Sequence, residues 1–341
     1  MRRKVTIQEI AELAGVSKFA VSRALTGKSG VSAQTREMIL RTAGQLGYFR
    51  NNALAGQESA DANSSGTIVV LFPNIRYQNK ESIYWGPVFD GISNRLNQMG
   101  QDIITLTEPS GDHFFSVLKP EAIRGIITIG YISTQILLDI RKLNIPVVMV
   151  DHEDPAFHCD TVFSDNFNSM REIMVKLISK GFRKYQFIGS IRDARSFYDR
   201  WLAFKTALEE HGVEHNQDPM LIGPLADDMY KLIPNVSLDP LPEVFVCVND
   251  SIASNLIDEL RKRGLEIPDR CAVTGFDNTI HTHPILATAN VNKEVIGMRA
   301  VDQLIWRIDN RKSPYERKQI SSEIVVREEH TLRLIVQTGR Q

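Results

Sequence analysis

The sequence predicts an α/β protein, with a small three-helix unit at its N-terminus and a larger two-lobed body of helices and parallel sheet. Three observations predict it. Residues 1–60 hold nine basic side chains against four acidic ones, a net of +5 that leaves −6 for the remainder of a 341-residue chain whose total is −1. Capped amphipathic helix patterns fill the first fifty residues. From Thr67 onward, short apolar β-branched runs alternate with helical patterns, as a parallel sheet with crossover helices requires. A compact basic unit joined to an acidic body is the charge distribution of a nucleic-acid reader attached to something else, because phosphate binding needs local positive charge and not a basic average.

The first helix opens at Thr6, where the hydroxyl can accept from the Glu9 amide while the Glu9 carboxylate reaches back, a capping box. Ile7, Ile10, Ala11 and Ala14 fall at i, i+3, i+4 and i+7, one apolar stripe that stops at Gly15. Ser17 caps a second helix in which Val21, Ala24 and Leu25 face inward, leaving Lys18, Phe19, Ser22 and Arg23 together on the outward face. Ser32 caps a third, Ala33 to Leu46, with Met38, Ile39, Ala43 and Leu46 apolar and Gly47 closing it. Two short helices joined by a tight Gly-containing turn, with small Ala11 where they cross, match the helix-turn-helix layout. The alternative is an ordinary three-helix bundle with a solvated outer face. Phe19 argues against it, since an aromatic among Lys18, Ser22 and Arg23 lowers solubility unless it meets something such as a thymine methyl.

Residues 50–66 are small, polar and almost without core formers, and read as a linker. After them, strand-like runs fall at 67–72, 103–106, 126–129, 147–150, 187–188, 244–248 and 272–276. Helical patterns fall between them at 88–99, 136–143, 169–179, 199–210 and 251–263, and a body of this length should split into two lobes. Composition excludes other classes. No apolar run approaches the roughly 18 residues that span a bilayer, and Arg2, Arg3 and Lys4 lead into an acidic amphipathic stretch instead of an apolar signal core, so a cytoplasmic address is expected. The three cysteines, Cys159, Cys247 and Cys271, are far apart in apolar contexts and read as core filler. No Gly-rich phosphate loop follows any strand, and His281 and His283 read as a loop, so no cofactor, metal or catalytic set is indicated.

The residues resemble the LacI/GalR family of bacterial transcription regulators over essentially the whole chain. The N-terminal motif runs Val5-Thr6-Ile7, Ala14-Gly15-Val16-Ser17, Val21-Ser22-Arg23, Val31-Ser32 and Leu46-Gly47-Tyr48. Farther on, Cys247 to Ala253 and Ile267 to Asn278 are similar to the family's most recognisable effector-domain motifs. The resemblance implies a helix-turn-helix headpiece over 1–49, a hinge over 50–66, and a periplasmic-binding-protein-like effector and dimerisation body over 67–337. Its lobes would be 67–163 with 291–321, and 164–290 with 322–337. DNA contacts would come from Ser17, Lys18, Phe19, Ser22 and Arg23, with Thr6, Ser32, Thr35 and Asn51 on phosphates and Leu54 as the one sizeable apolar residue for the minor groove. The effector would meet Asp151, Ser196, Arg200, Asn249 and Asp277, with Tyr84 and Trp85 as aromatic walls, in a cleft at the carboxyl ends of strands.

A carboxylate that accepts two hydroxyls, a fork-shaped guanidinium that donates two and an amide that does one of each suit a sugar. Asp250 reads instead as the cap of the helix from Ser251. The chain departs from the family where Arg50 replaces a proline, Gly56 and Gln57 stand near the usual leucine, and Ser169-Met170 and Gly181-Phe182 replace glycine-containing pairs; 211–243 is poorly matched.

The expectation is a homodimeric or tetrameric transcriptional repressor binding a double-stranded DNA operator under control of a carbohydrate effector, with no membrane partner. A second reading keeps DNA binding and replaces the sugar by a nucleobase or a phosphoprotein corepressor. More remote readings are a solute-binding protein, which carries a signal peptide where this chain has its helical unit, and a sugar enzyme.

Overall fold

The computed structural model describes residues 6–25, 30–46, 66–72, 78–107, 120–223 and 231–327. The chain divides into two compact units, Met1–Ser64 and Ser65–Gln341.

In the first unit, α1 (Ile7–Ala14), α2 (Lys18–Leu25) and α3 (Ala33–Leu46) surround one small core. The Thr6 capping box is formed, and α1 ends on Gly15 at φ +63°, a left-handed conformation that glycine adopts without steric cost. The Val16 amide then donates to the Ala11 carbonyl, so only Gly15, Val16 and the cap Ser17 separate α1 from α2. Ile10, Ala11, Val21, Ala24, Ile39 and Ala43 are buried together. Met38, placed by the pattern in the same stripe as Ile39, is 42% exposed, because one residue along a helix is 100° around it. The hinge residues Arg50, Asn51, Leu54, Gly56 and Gln57 lie outside the described residues.

The second unit is built from two groups of strands. Its elements run β1 (Thr67–Leu71), α4 (Trp85–Gln98), β2 (Ile103–Leu106), β3 (Ile123–Ile129), α5 (Thr134–Lys142), β4 (Val147–Val150), β5 (Asp160–Ser164) and α6 (Asn166–Ser179). They continue through β6 (Tyr185–Ile188), α7 (Arg195–Glu210), β7 (Val244–Cys247), α8 (Asp250–Lys262), β8 (Ala272–Thr274), β9 (Ala287–Asn290), α9 (Lys293–Asp309), β10 (Arg317–Ile320) and β11 (Glu323–Val326). One sheet is fully parallel in the order β10-β5-β4-β3-β1-β2. The other group holds the parallel set β6-β7-β8 and the antiparallel pair β11-β9. The chain leaves the six-stranded sheet after Ser164, returns before Arg317 and leaves again after Ile320.

Strands β1, β4 and β7 are buried on both faces and read as continuous apolar runs, as covered parallel strands do. The helices begin earlier than their apolar periodicity suggests. The α6 helix starts at Asn166 because Asp165 caps it, and α7 starts at Arg195 although its cap position, Ala194, supplies no side-chain bond. Asp160, the first residue of β5, has no exposure, and Arg307 of α9 clamps it through bonds of 2.5 and 2.7 Å. The same guanidinium donates to the carbonyls of Asn310, Ser313 and Pro314, fixing the turn into β10. Cys247 and Cys271 are buried and Cys159 half-buried, all unpaired. No helix among the described residues is long and apolar enough to cross a membrane.

Helices α4 and α9 cross backbone against backbone. A Cβ at Gly91 would lie 2.1 Å from the Glu294 carbonyl oxygen, and one at Gly297 would lie 2.1 Å from that of Val88. Neither neighbour is a side chain that can swing away. Gly91→Ala and Gly297→Ala should therefore each destabilise the body by about 1–3 kcal/mol or more, read as a lower midpoint in denaturant. An unchanged midpoint would show that the crossing tolerates separation.

Candidate functional site

In the first unit, Lys18, Phe19 and Ser22 are exposed and Arg23 is half-buried on α2. Phe19 is 69% exposed, and the Arg23 guanidinium lies 5.2 Å from its ring, so one cation and one aromatic form a single patch. The hydroxyls of Ser17 and Ser32 accept from the Ala20 and Thr35 amides as caps, and Ser32 and Thr35 share a 2.7 Å hydroxyl bond. Thr6 donates its hydroxyl to Glu9. Asn51 and Leu54 lie outside the described residues.

In the second unit, a cavity of about 280 Å³ opens where the carboxyl ends of both strand groups meet. That is near the lower end of the ~300–1,000 Å³ usual for small-molecule sites. The strand order makes this place special. In the series β2-β1-β3-β4-β5 the crossovers reverse direction at β1 and β3, and ligands of open α/β sheets sit outside the strand ends at such a point. The structure brings all seven sequence-predicted residues, Tyr84, Trp85, Asp151, Ser196, Arg200, Asn249 and Asp277, to the wall of this cavity. It also brings Gln78, Tyr131, His152, Ser190, Phe197 and Thr279, which sequence reasoning missed. His152 and Phe197 directly follow residues already chosen, and Tyr131 and Ser190 lie two residues past a strand, so the strand-end rule applied to every strand would have found these four.

Arg200 organises the floor. Its side chain is 2% exposed, its Nε donates to Asn166 Oδ1 at 2.9 Å, its Nη1 to the Val248 carbonyl at 2.7 Å and its Nη2 to Asp277 Oδ1 at 3.1 Å. The guanidinium lies 3.8 Å from the centre of the Phe276 ring. Three of its five N–H groups are thus engaged. Asp277 sits at φ +94°, and its carbonyl oxygen accepts from Lys293 Nζ at 2.7 Å, so both ends of the residue are tied down. Burial lowers the Lys293 pKa, against the pull of Asp277.

Asp151 forms the opposite wall. It directly follows β4 at φ +52°; its Oδ2 accepts from Ser196 Oγ at 3.4 Å, while its Oδ1 is buried without a hydrogen-bond partner. Desolvation raises its pKa to about 7; Arg200 and Ser196 oppose the rise, and Asp277 and Asp199 add to it. Tyr84 meets the Trp85 ring edge to face at 4.8 Å, and its phenol is held well above its usual pKa by burial and by Asp151 and Asp277.

The Asn-Asp pair corrects one expectation. Asn249, not Asp250, caps α8, its Oδ1 accepting from the Ile252 amide at 2.9 Å, which leaves Nδ2 as the atom the amide can offer to the cavity. Asp250 is fully buried instead and accepts from the Thr279 and Ile280 amides and the Thr288 hydroxyl. A carboxylate can satisfy a buried loop's amides that no strand partner reaches, and this loop carries Asp277. Burial and the nearby Asp277 raise Asp250 to about 6.

The two strand groups are also joined by a closed ring of charges beside the cavity. Glu153 pairs with Arg195 at 2.8 Å, Arg195 with Asp199 at 2.7 Å, Asp199 with Arg317 at 3.1 Å and Arg317 with Glu153 at 2.9 Å. Three of the four side chains are about one-third exposed or more, so the ring positions α7 more than it stabilises the fold.

The raised pKa of Asp151 makes stability depend on pH. The folded state keeps a proton that the unfolded chain releases near pH 4, so this contribution to stability is lost as pH rises from about 4 through 7. Asp151→Asn should flatten the fall in melting temperature between pH 5 and 8, measured without added ligand. A slope identical to that of the native protein would show that this carboxyl does not titrate there.

Residues 6–51 match the family described as bacterial regulatory proteins, lacI family, and residues 175–328 match the periplasmic binding protein-like domain. The chain is 26% identical over 336 residues to the transcriptional regulator GalR of Lacticaseibacillus casei, covering 94% of this chain and 98% of the relative. It is 25% identical to the transcriptional repressor PurR of Vibrio campbellii, covering 94% and 97%. Among solved structures, the transcriptional regulator CelR in complex with cellobiose superposes with a TM-score of 0.67 at 21% identity, covering 95% of this chain and 99% of that one. Residues 6–51 are thus a helix-turn-helix segment of the lacI type and residues 175–328 a periplasmic binding protein-like domain, in a chain whose relatives are lacI-family transcriptional regulators and not enzymes.

Proposed function

We propose that this regulator is a cytoplasmic homodimeric repressor whose operator affinity is set by a sugar held in the cavity of the second unit. Residues 1–49 read the DNA, 50–66 form the hinge, and 67–337 bind the effector and the second copy. The observation that carries the reading is the cavity itself, where a half-engaged guanidinium, an unpartnered carboxylate oxygen and an amide stand among four aromatic side chains, Tyr84, Trp85, Tyr131 and Phe197. Aromatic faces cover the apolar face of a pyranose while carboxylate, amide and guanidinium take its hydroxyls. The relative solved with cellobiose and the relative named as a repressor support the two halves of the reading. A nucleobase is the second reading, supported by the same aromatic walls.

On DNA, Lys18 and Arg23 are the side chains that can pair with guanine O6 and N7, and Phe19 meets a thymine methyl. A dimer presents two α2 helices to two half-sites of a near-palindrome. Sugar changes operator affinity to the extent that it binds one state of the body better than the other.

The test begins with selection of bound duplexes from a random pool, followed by binding isotherms with and without sugars. Arg23→Ala should cost about 1–3 kcal/mol at one base position per half-site and relax selectivity there; equal weakening on all sequences would make Arg23 a phosphate contact. Arg200→Lys, which keeps the charge and loses the fork, should abolish the sugar-dependent change in operator binding. A normal response in that variant would remove Arg200 from the effector site, and a selection yielding no preferred duplex would overturn the operator reading.

A further inference from the structure

The cavity states more than that something polar binds there. Among its described lining residues are three carboxylates, Asp151, Asp193 and Asp277, and one guanidinium, Arg200, which already gives an N–H to Asp277. The positive end of α7 could favour an anion, but two carboxylates already face it. Ser196 in its first turn donates to Asp151, and Arg195 pairs with Glu153. Lys293 is turned onto the carbonyls of Asp277 and Val291. Among the described lining residues the one cation is therefore Arg200, whose charge is already paired with Asp277.

The loop after β4 carries the second observation. His152 lines the cavity next to Asp151, and its Nε2 is buried without a partner, as is Asp151 Oδ1. Burial holds the imidazole below its usual pKa, and the ring bonds to the backbone at Ile132. With Nδ1–H donating to that carbonyl, Nε2 is left as an acceptor. Two consecutive residues therefore present two unpartnered atoms, His152 Nε2 as an acceptor and Asp151 Oδ1 as an acceptor once the carboxyl is ionised. Across the cavity, Ser190, whose Oγ is buried and unpartnered, completes the set with a hydroxyl that can turn either way.

We propose that the effector is an uncharged molecule that donates two adjacent hydroxyls to Asp151 Oδ1 and His152 Nε2, that His152 is the specificity-determining residue beside the carboxylate, and that phosphorylated or carboxylated forms of the same molecule are rejected. The inference rests on the effector reading above and narrows it. A phosphate ester would bring about two negative charges to a cavity whose described lining holds three carboxylates against one guanidinium already paired with Asp277, and like charges brought together weaken binding. A neutral hydroxyl pair instead satisfies two buried acceptors that otherwise stand unpaired.

The test uses the full chain and matched pairs of probes: glucose with glucose 6-phosphate and gluconate, ribose with ribose 5-phosphate, cellobiose with cellobionate, and hypoxanthine with inosine monophosphate. Concentration-dependent shifts in melting temperature rank them, and calorimetry gives affinities for those that shift. The expected result is that an uncharged sugar binds and its anionic counterpart binds at least about thirty-fold more weakly. His152→Leu should weaken that sugar about ten-fold, and His152→Gln, which keeps an acceptor, should restore most of the loss. Asp151→Asn should narrow the gap between the sugar and its phosphate. A phosphate or carboxylate that outranks its neutral partner overturns this inference and leaves the effector reading standing. So does neutral-sugar affinity unchanged by both His152→Leu and Asp151→Asn. A panel in which no probe shifts the native protein counts against the effector reading itself.

Discussion

The buried guanidinium of Arg200 is the interaction on which the rest of the cavity depends. Placing a charge in the interior carries a desolvation cost of several kcal/mol unless its donors are met. Arg200 meets that condition with the Asn166 amide, the Val248 carbonyl, the Asp277 carboxylate and the face of Phe276. Those four groups come from the start of α6, the residue after β7 and the segment after β8, so the guanidinium ties α6 to the β7–β8 pair. Because the fork is planar and rigid, satisfying it fixes their mutual geometry and leaves its remaining N–H groups available at the floor of the cavity.

The same logic explains why polar side chains gather where they do. Parallel strands buried on both faces have no room for charge along their length, so the chemistry collects in the segments that follow them. Gln78 follows β1, Tyr131 follows β3, Asp151 and His152 follow β4, Ser190 follows β6 and Asn249 follows β7. The close α4–α9 crossing and the Arg307–Asp160 clamp hold the six-stranded sheet as a rigid wall. The ring of Glu153, Arg195, Asp199 and Arg317 and the Ser196–Asp151 bond cross from one strand group to the other. Those contacts are few and partly exposed, which suits a junction that changes when a ligand enters.

Electrostatically, the cavity is built around unmet carboxylate demand. Asp250 is raised less than Asp151 because a hydroxyl and two backbone amides bond to its carboxylate, whereas Asp151 has one long bond to Ser196 and one bare oxygen. A ligand's donors would do for Asp151 what Thr279, Ile280 and Thr288 do for Asp250. The contrast between Asp250, buried behind the cavity wall, and the lining Asp151 separates a residue that holds the fold from one with an unpartnered oxygen.

Local pattern by itself determined the helical unit and much of the body. Thr6, Gly15, Ser17 and Ser32 place the starts and stop of α1 to α3 because caps act within four residues, and the apolar runs marked β1, β2, β4 and β7. Among the elements left unmarked, β5 and β10 have a logic that is not local. β5 opens on a buried charge that only Arg307, 147 residues away, makes tolerable. β10, Arg317 to Ile320, is an edge strand with alternating exposure and reads as polar chain, and the first turn of α7 lacks a cap residue. For the site, resemblance picked out the residues whose identity is distinctive, Arg200, Asp151 and Asp277 among them. Only the tertiary structure decided which hydrogen bonds each already makes. That is why Asn249, and not Asp250, emerged as the cap of α8, and why His152 emerged only once its nitrogen was found buried with nothing to accept from.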